Sequence, residues 1–148
     1  MAKRSAAARA CGFIQLYARL LETDENGYGY CCSCGKPLAW AETQGGHFHP
    51  KGNSYNAAAF EEENVHVQCA SCNLFQKGNP SGYLTYMNKE YGEWDEAKQE
   101  FNNPVVEHIN SLIGTYLEIE EVRELARIYK QKCKDLAKDK SFQIRIPS

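Results

Sequence analysis

Long hydrophobic runs are missing from this sequence. No stretch of its 148 residues approaches the ~18–20 uncharged apolar residues that a bilayer-crossing helix demands, which excludes a membrane span. An excess of positive charge is missing too: 17 Lys and Arg stand against 19 Asp and Glu, a net charge of −2 with a pI near 6.1. With no basic field over the whole chain, any polyanionic partner must be met by local patches. There are no repeats, no low-complexity linkers and no secretory signal. The first twenty residues hold no acid and read as the basic start of a helix.

Apolar and aromatic side chains are not scarce. At 43% hydrophobic and 11% aromatic the chain can bury a core, and its length suits one domain. Seven cysteines, at 11, 31, 32, 34, 69, 72 and 133, are the unusual feature. An odd number with two close pairs does not make a disulfide framework and fits a reducing, cytoplasmic setting.

Apolar spacing divides residues 1–148 into three stretches of a single domain. In 1–27, Phe13, Ile14, Leu16, Tyr17, Leu20 and Leu21 recur at helical period from Ser5 to Glu22. In 28–79 only Leu38 to Ala41 and Val65 to Val67 look like strands, and this stretch cannot bury enough surface to fold without a staple. Residues 80–148 read as helices. One begins at Pro80, turns Tyr83, Leu84, Met87 and Tyr91 inward and stops at Gly92; another runs from Asn103-Pro104 to Gly114. Thr115 with Glu118 reads as a capping box ahead of a last helix, striped by Val122, Leu125, Ala126, Tyr129, Cys133 and Leu136. That stripe can form an interface or pack on its own domain.

The staple is legible. Cys31-x2-Cys34 and Cys69-x2-Cys72 each let two thiolates reach one ion from a tight turn, and two such turns complete a tetrahedron. Gly35 permits the first turn, and a helix expected after Cys72 would favour thiolates by its N-terminal dipole. Four thiolates close the coordination sphere, so the expected ion is structural zinc, held by Cys31, Cys34, Cys69 and Cys72. Cys32 is a substitute for Cys31 with poorer spacing. Cys11 and Cys133 read as core residues.

Between and around these pairs lie Gly46-His47-Phe48-His49-Pro50 and Asn64-Val65-His66-Val67-Gln68-Cys69-Ala70-Ser71-Cys72-Asn73. At His47, Pro50, Asn64, Cys69, Cys72 and Asn73 this resembles the HNH endonucleases and their ββα-metal core. A closer resemblance, covering nearly the whole chain, is to the lambdoid-phage NinG (Rap) recombination proteins. It is carried by Cys31 to Lys36, Gly46 to Phe48, Asn64 to Asn73, Gly78-Asn79 with Tyr83, Tyr91-Gly92 and the helix from Glu118. The resemblance implies an α+β fold, with a zinc-stapled treble-clef or ββα-metal centre flanked by N- and C-terminal helices. It also implies a nuclease acting on branched DNA in phage recombination.

On that reading His47 is the general base that activates water, being neutral at pH 7. The resemblance gives Asn64 the task of tying the loop and orienting His47. Asn73 offers an amide oxygen to a catalytic Mg²⁺ or Mn²⁺. Many HNH nucleases carry an ion-binding Asp just before the base, where this chain has Gly46. His49, two residues beyond His47 and so on the same face of an ideal strand, is the candidate replacement ligand; Glu42 and Glu61 to Glu63 are others. His66, between two valines of a strand, is expected to face solvent. Lys3, Arg4, Arg9, Arg19, Lys51, Lys77 and the Lys-rich last helix are available to DNA phosphates, and Tyr28, Tyr30, Phe48 and Tyr55 to unpaired bases. Cutting both strands of a junction suggests a homodimer. The alternative function is a non-catalytic zinc-stabilised module that binds DNA or protein, a reading fed by Gly46 and the acidic pI.

Overall fold

The computed structural model describes residues 5–52 and 55–148, so Lys3 and Arg4 lie outside the described residues. Helix α1 spans Ala6–Leu21, with the Ser5 hydroxyl accepting from Ala8 N at 3.1 Å as its N-cap. Its buried side, Ala10, Phe13, Ile14 and Ala18, meets Val122, Ala126 and Tyr129 of the last helix, α4 (Ile119–Ala137). The stripe on α4 therefore packs within the chain. The cap of α4 differs from the expected one: Glu118, not Thr115, is the N-cap, and its N–H donates to Glu121 at 2.7 Å. Glu at the third helical position does what the pattern requires, three residues later than the threonine suggested. The segment after α4 folds back, setting Phe142 on Trp40 at 5.6 Å and Ile144 and Ile146 against α1.

Between α1 and the C-terminal helices lies a set of short pieces. Strands β1 (Gly29–Tyr30) and β2 (Pro37–Leu38) form one antiparallel pair, and β3 (Gln44–His47) and β4 (Val65–Gln68) another, with Gly46 opposite His66 and His47 opposite Val65. The strand expected over 38–41 stops at Leu38, and Trp40–Glu42 forms a 3₁₀ turn. Two further 3₁₀ turns, Ala57–Phe60 and Glu62–Asn64, precede β4.

Helix α1 lies directly on β3. A Cβ at Gly45 would stand 2.7 Å from Gln15 Cβ, and Gln15 Nε2 donates to Gly45 O at 2.9 Å. Every residue of β4 is buried, because both faces of the hairpin are covered. His66 is therefore buried, not solvent-facing.

Helix α2 (Pro80–Tyr91) has Asn79 as N-cap and Pro80 in its first turn; Tyr83 and Met87 face inward, Leu84 is exposed and Gly92 ends it. An exposed hairpin of β5 (Glu93–Asp95) and β6 (Glu100–Asn102) follows, where the sequence offered no strand pattern. Helix α3 (Pro104–Leu112) is capped by Asn103, whose side chain accepts from Val106 N at 3.1 Å. Gly114 follows it at φ +85°. The result is a mixed α+β fold with three two-stranded antiparallel sheets among the described residues. No described helix is long and apolar enough to cross a membrane.

Candidate functional site

Two turns bring the four expected cysteines together. Gly35, at φ +77°, closes the turn between Cys31 and β2, and Gly35 N donates to Cys31 O at 2.8 Å. The second pair stands where β4 ends. Instead of the regular helix expected after Cys72, the chain makes one π turn, Ser71–Phe75, and α2 starts only at Pro80. The sulfurs of Cys31, Cys34, Cys69 and Cys72 lie within 4.8 Å of one another, and Cys34 Sγ is 3.9 Å from Cys69 Sγ. A ZnS₄ tetrahedron with bonds of about 2.3 Å has edges of about 3.8 Å, so the cluster can hold zinc with little movement.

Donors are already aimed at the sulfurs. Cys72 N–H points to Cys69 Sγ at 3.4 Å, and Asn79 Nδ2 to Cys72 Sγ at 3.3 Å. Burial pushes the Cys72 thiol up to about 12, so releasing its proton near neutral pH calls for a cation to stabilise the thiolate. Cys32 takes no part; its sulfur lies 3.7 Å from Ser33 Oγ, and burial raises its pKa. Cys11 and Cys133 are buried in the helical core.

His47 ends β3 on the side opposite Gly46. Its Nε2–H donates to Ala59 O at 2.9 Å, which fixes the tautomer and leaves Nδ1 as the acceptor nitrogen. Burial pushes its pKa down to about 4; the Ala59 carbonyl works against that shift, while Lys51 and His49 add to it. The ring is therefore neutral at pH 7.

Asn64 is fully buried and behaves as a clasp. Its Oδ1 accepts from His49 N at 2.7 Å, and its Nδ2 donates to His49 O at 3.0 Å and Ala58 O at 2.9 Å. It thereby ties the loop after His47 to the 3₁₀ turn whose Ala59 carbonyl holds the imidazole. His49 lies in that loop, because β3 stops at His47 and the strand alternation that put both rings on one face does not extend so far.

Asn73 sits on the π turn, and its Nδ2 donates to Gln44 Oε1 at 2.8 Å. Its Oδ1 looks toward Gly46: a Cβ placed there would stand 3.1 Å from it. The same Cβ would stand 1.8 Å from Gln68 Oε1, so the space an aspartate would take is filled by the Gln68 amide. Gln68 Nε2 is held by Ser33 Oγ and Gly78 O, both at 2.8 Å, while its Oε1 is a buried acceptor without a partner among the described residues. Sequence reasoning missed Gln68. The signal was a glutamine at the buried end of a strand, directly before a cysteine pair.

His66 was also misread. Its Nδ1 meets Glu22 Oε2 at 2.7 Å and its Nε2 meets Glu63 O at 2.9 Å, with the Tyr91 hydroxyl 3.2 Å from Nε2. The second Glu22 oxygen accepts from Val67 N at 2.9 Å, so this cluster pins α1 to β4. Of the aromatics expected to meet bases, Tyr28 and Tyr30 are exposed, Phe48 packs on Tyr83 at 5.4 Å and Tyr55 packs on the helical core. Lys132 contacts Glu62, and Lys140 Nζ donates to Thr23 O, so two lysines expected to be free for phosphates are engaged within the chain.

Fold and site together define an α+β protein built around a four-cysteine cluster able to hold a structural metal such as zinc. A family model described as Bacteriophage Lambda NinG protein matches residues 8–139, and the chain belongs to that family. It is 31% identical over 111 residues to the protein ninG of Escherichia phage 933W, covering 75% of this chain and 50% of that protein. The protein ninG of Escherichia phage lambda is likewise 31% identical over 111 residues, 75% of this chain and 49% of the relative. The chain thus spans about half the length of the curated relatives it matches. No solved structure is significantly similar to it.

Proposed function

We propose that this chain is a metal-dependent, structure-selective DNA endonuclease of phage recombination. Its zinc-bound cysteines would hold a treble-clef, HNH-like centre, and His47 would activate the attacking water. The observation that carries this reading is His47 itself. A ring anchored through Nε2 by Ala59 O, neutral at pH 7 and with Nδ1 left to accept, is prepared to take a proton from water. A phosphodiester anion beside it would raise its pKa from about 4 toward a more effective value. Asn64 would position the base through the loop, and Asn73, its Nδ2 bonded to Gln44 and its Oδ1 on the Gly46 side of β3, would offer that oxygen to Mg²⁺ or Mn²⁺. His49, held in the loop by Asn64 through its backbone, would be a further candidate ligand of that ion.

Selectivity for branched DNA is supported by Phe75, two residues past Asn73 and 81% exposed, which can stack on a base that has no pairing partner. A homodimer would supply two incisions, and the host cytoplasm is the setting that suits free thiols. The test is cleavage of a labelled four-way junction and its matched duplex in Mg²⁺ and in Mn²⁺. Wild type should cut the junction and His47→Ala should not.

One observation favours a second reading. Gln68 Oε1 occupies the place of the missing ion-binding side chain at position 46, and a neutral amide attracts a hard cation less than a carboxylate does. A zinc-stabilised binding module, with no cutting, would show itself if both proteins shift the junction on a gel and neither cleaves it.

A further inference from the structure

Three arginines without a carboxylate partner among the described residues gather at one cleft. Of the five described arginines, Arg123 and Arg127 on α4 are paired with Glu120 and Glu124. The other three, Arg9, Arg19 and Arg145, form no ion pair among the described residues, and all three line one cleft of about 640 Å³ between α1, β3 and the C-terminal segment. No Asp or Glu side chain lines it, although acids outnumber bases in the chain; the last residue, Ser148, does line it. Gln44, Gly45 and Asn73 line it as well. The three arginines therefore share a cleft with Asn73, the amide assigned to the catalytic ion, and with the Gln44–Gly45 part of β3; His47 does not line it.

Arg19 is the most telling of the three. It is half-buried, stacked over Trp40 at 4.2 Å and fixed by Thr43 Oγ1 at 2.9 Å and Trp40 O at 3.1 Å. Burial lowers its pKa, as expected for a desolvated cation with no counter-charge beside it. Removing a charge from water without an ionic partner is costly, and an arriving anion would offset that cost. Arg9, its side chain over Phe13 at 5.0 Å, and the exposed Arg145 stand at the same cleft with their forked donors uncommitted to any carboxylate. Guanidinium forks match phosphate oxygens bidentately, and a cleft this size is far larger than a single phosphate requires.

We propose that this cleft is the track that holds the sugar–phosphate backbone of DNA, with Arg9, Arg19 and Arg145 taking phosphates and leading the strand to Asn73. The inference rests on the DNA-binding half of the proposed function and not on cleavage. It makes binding sequence-independent, because the walls offer phosphate donors and no base-reading helix.

The experiment is fluorescence anisotropy with a labelled duplex and a labelled four-way junction, in divalent-free buffer, over a series of salt concentrations. The proteins are wild type, Arg9→Gln/Arg145→Gln, and the control Arg123→Gln/Arg127→Gln. Arg19 is left intact because it holds Thr43 and Trp40, and equal zinc content and unfolding midpoints establish that the variants are folded. The cleft variant should lose roughly 10- to 100-fold in affinity at low salt, and its log–log salt slope should become shallower by about 2. The control should stay within about two-fold of wild type, since its arginines are already paired. Wild type that fails to bind DNA, a cleft variant that binds like wild type, or a control that loses as much would each overturn the proposal. An inactive nuclease that binds DNA with the expected salt slopes leaves the track standing and removes only the catalytic reading. Cleavage that persists with unchanged binding in the cleft variant does the reverse.

Discussion

The α1–α4 pair buries Phe13, Ile14, Ala18, Val122, Ala126 and Tyr129 in a continuous apolar seam. The segment from Tyr28 to Asn79 has a second cluster of Cys31, Leu38, Val67, Cys69 and Cys72, in which three of the five members are candidate zinc ligands. In the first region stability comes from area removed from water, spread over many side chains. In the second the strands are two to four residues long, and the thiols must either hold an ion or lie together as buried polarizable groups. One region should therefore tolerate losing any single contact, whereas the other should depend on one event of metal binding.

The largest expected effect sets the two regions against each other. Cys69→Ser, or removal of zinc by a chelator, should abolish the cooperative unfolding transition, because structural zinc contributes on the order of 10 kcal/mol, comparable with a whole domain's stability. Ile14→Ala, 1% exposed in the helical seam, should cost about 2–5 kcal/mol and leave zinc stoichiometry unchanged. Denaturant unfolding combined with metal analysis reads both. A Cys69→Ser protein that unfolds at the wild-type midpoint would end the distinction between the regions.

The helical half was legible because its signals are local and periodic. Ser5, Asn103 and Pro104 stand at helix starts, and the stripes on α1 and α4 fall on the inward faces apart from Leu21, which is exposed at the end of α1. The cysteine cluster was legible because spacing alone constrains where two thiols can point. What could not be read depends on the packing of distant segments. Val65-His66-Val67 alternates like a half-exposed strand, yet α1 brings Glu22 across its back and α2 brings Tyr91, so both faces are covered. Gly46 read as a missing ligand; only the fold shows the Gln68 amide filling the gap. Arg9 and Arg19 could be placed together on the first helix, but Arg145, which joins them at the cleft, lies too far along the chain for any sequence pattern to add it.

A mid-sized effect tests the border between the regions, where Ala59, packed in the α1–α4 cluster, accepts from His47 of β3. Burial lowers the His47 pKa from 6.5 in the free side chain to about 4 in the fold. Between those values the unfolded chain binds a proton that the folded chain does not, so stability falls as pH drops through this window. The contribution, on the order of 3 kcal/mol, is present in full above pH 6.5 and lost by pH 4. His47→Gln should unfold with a shallower pH dependence from 6.5 to 4 than wild type, measured at equal zinc content. Identical profiles would mean that the imidazole is not desolvated, and the neutral base of the proposed mechanism would lose its physical footing.

The smallest effect concerns the residue that ties the cysteine cluster to the helices beyond it. Asn79 sits at φ +44°, accepts from Gly82 N at 3.3 Å as the cap of α2, and donates to Cys72 Sγ at 3.3 Å. Asn79→Ala removes both bonds and leaves a Cβ residue in the left-handed region, at a cost of about 1–2 kcal/mol. Asn79→Gly removes the same bonds without that backbone strain, so it should cost only a few tenths of a kcal/mol. The difference between the two variants measures the strain. What they share measures the N–H to sulfur bond: both should release zinc to a competing chelator faster than wild type does. If neither changes the release rate, the amide contributes nothing to holding the metal, and α2 is joined to this segment by its other contacts, the Tyr83 hydroxyl donating to Gly46 O at 2.7 Å and the Tyr91 hydroxyl 3.2 Å from His66 Nε2.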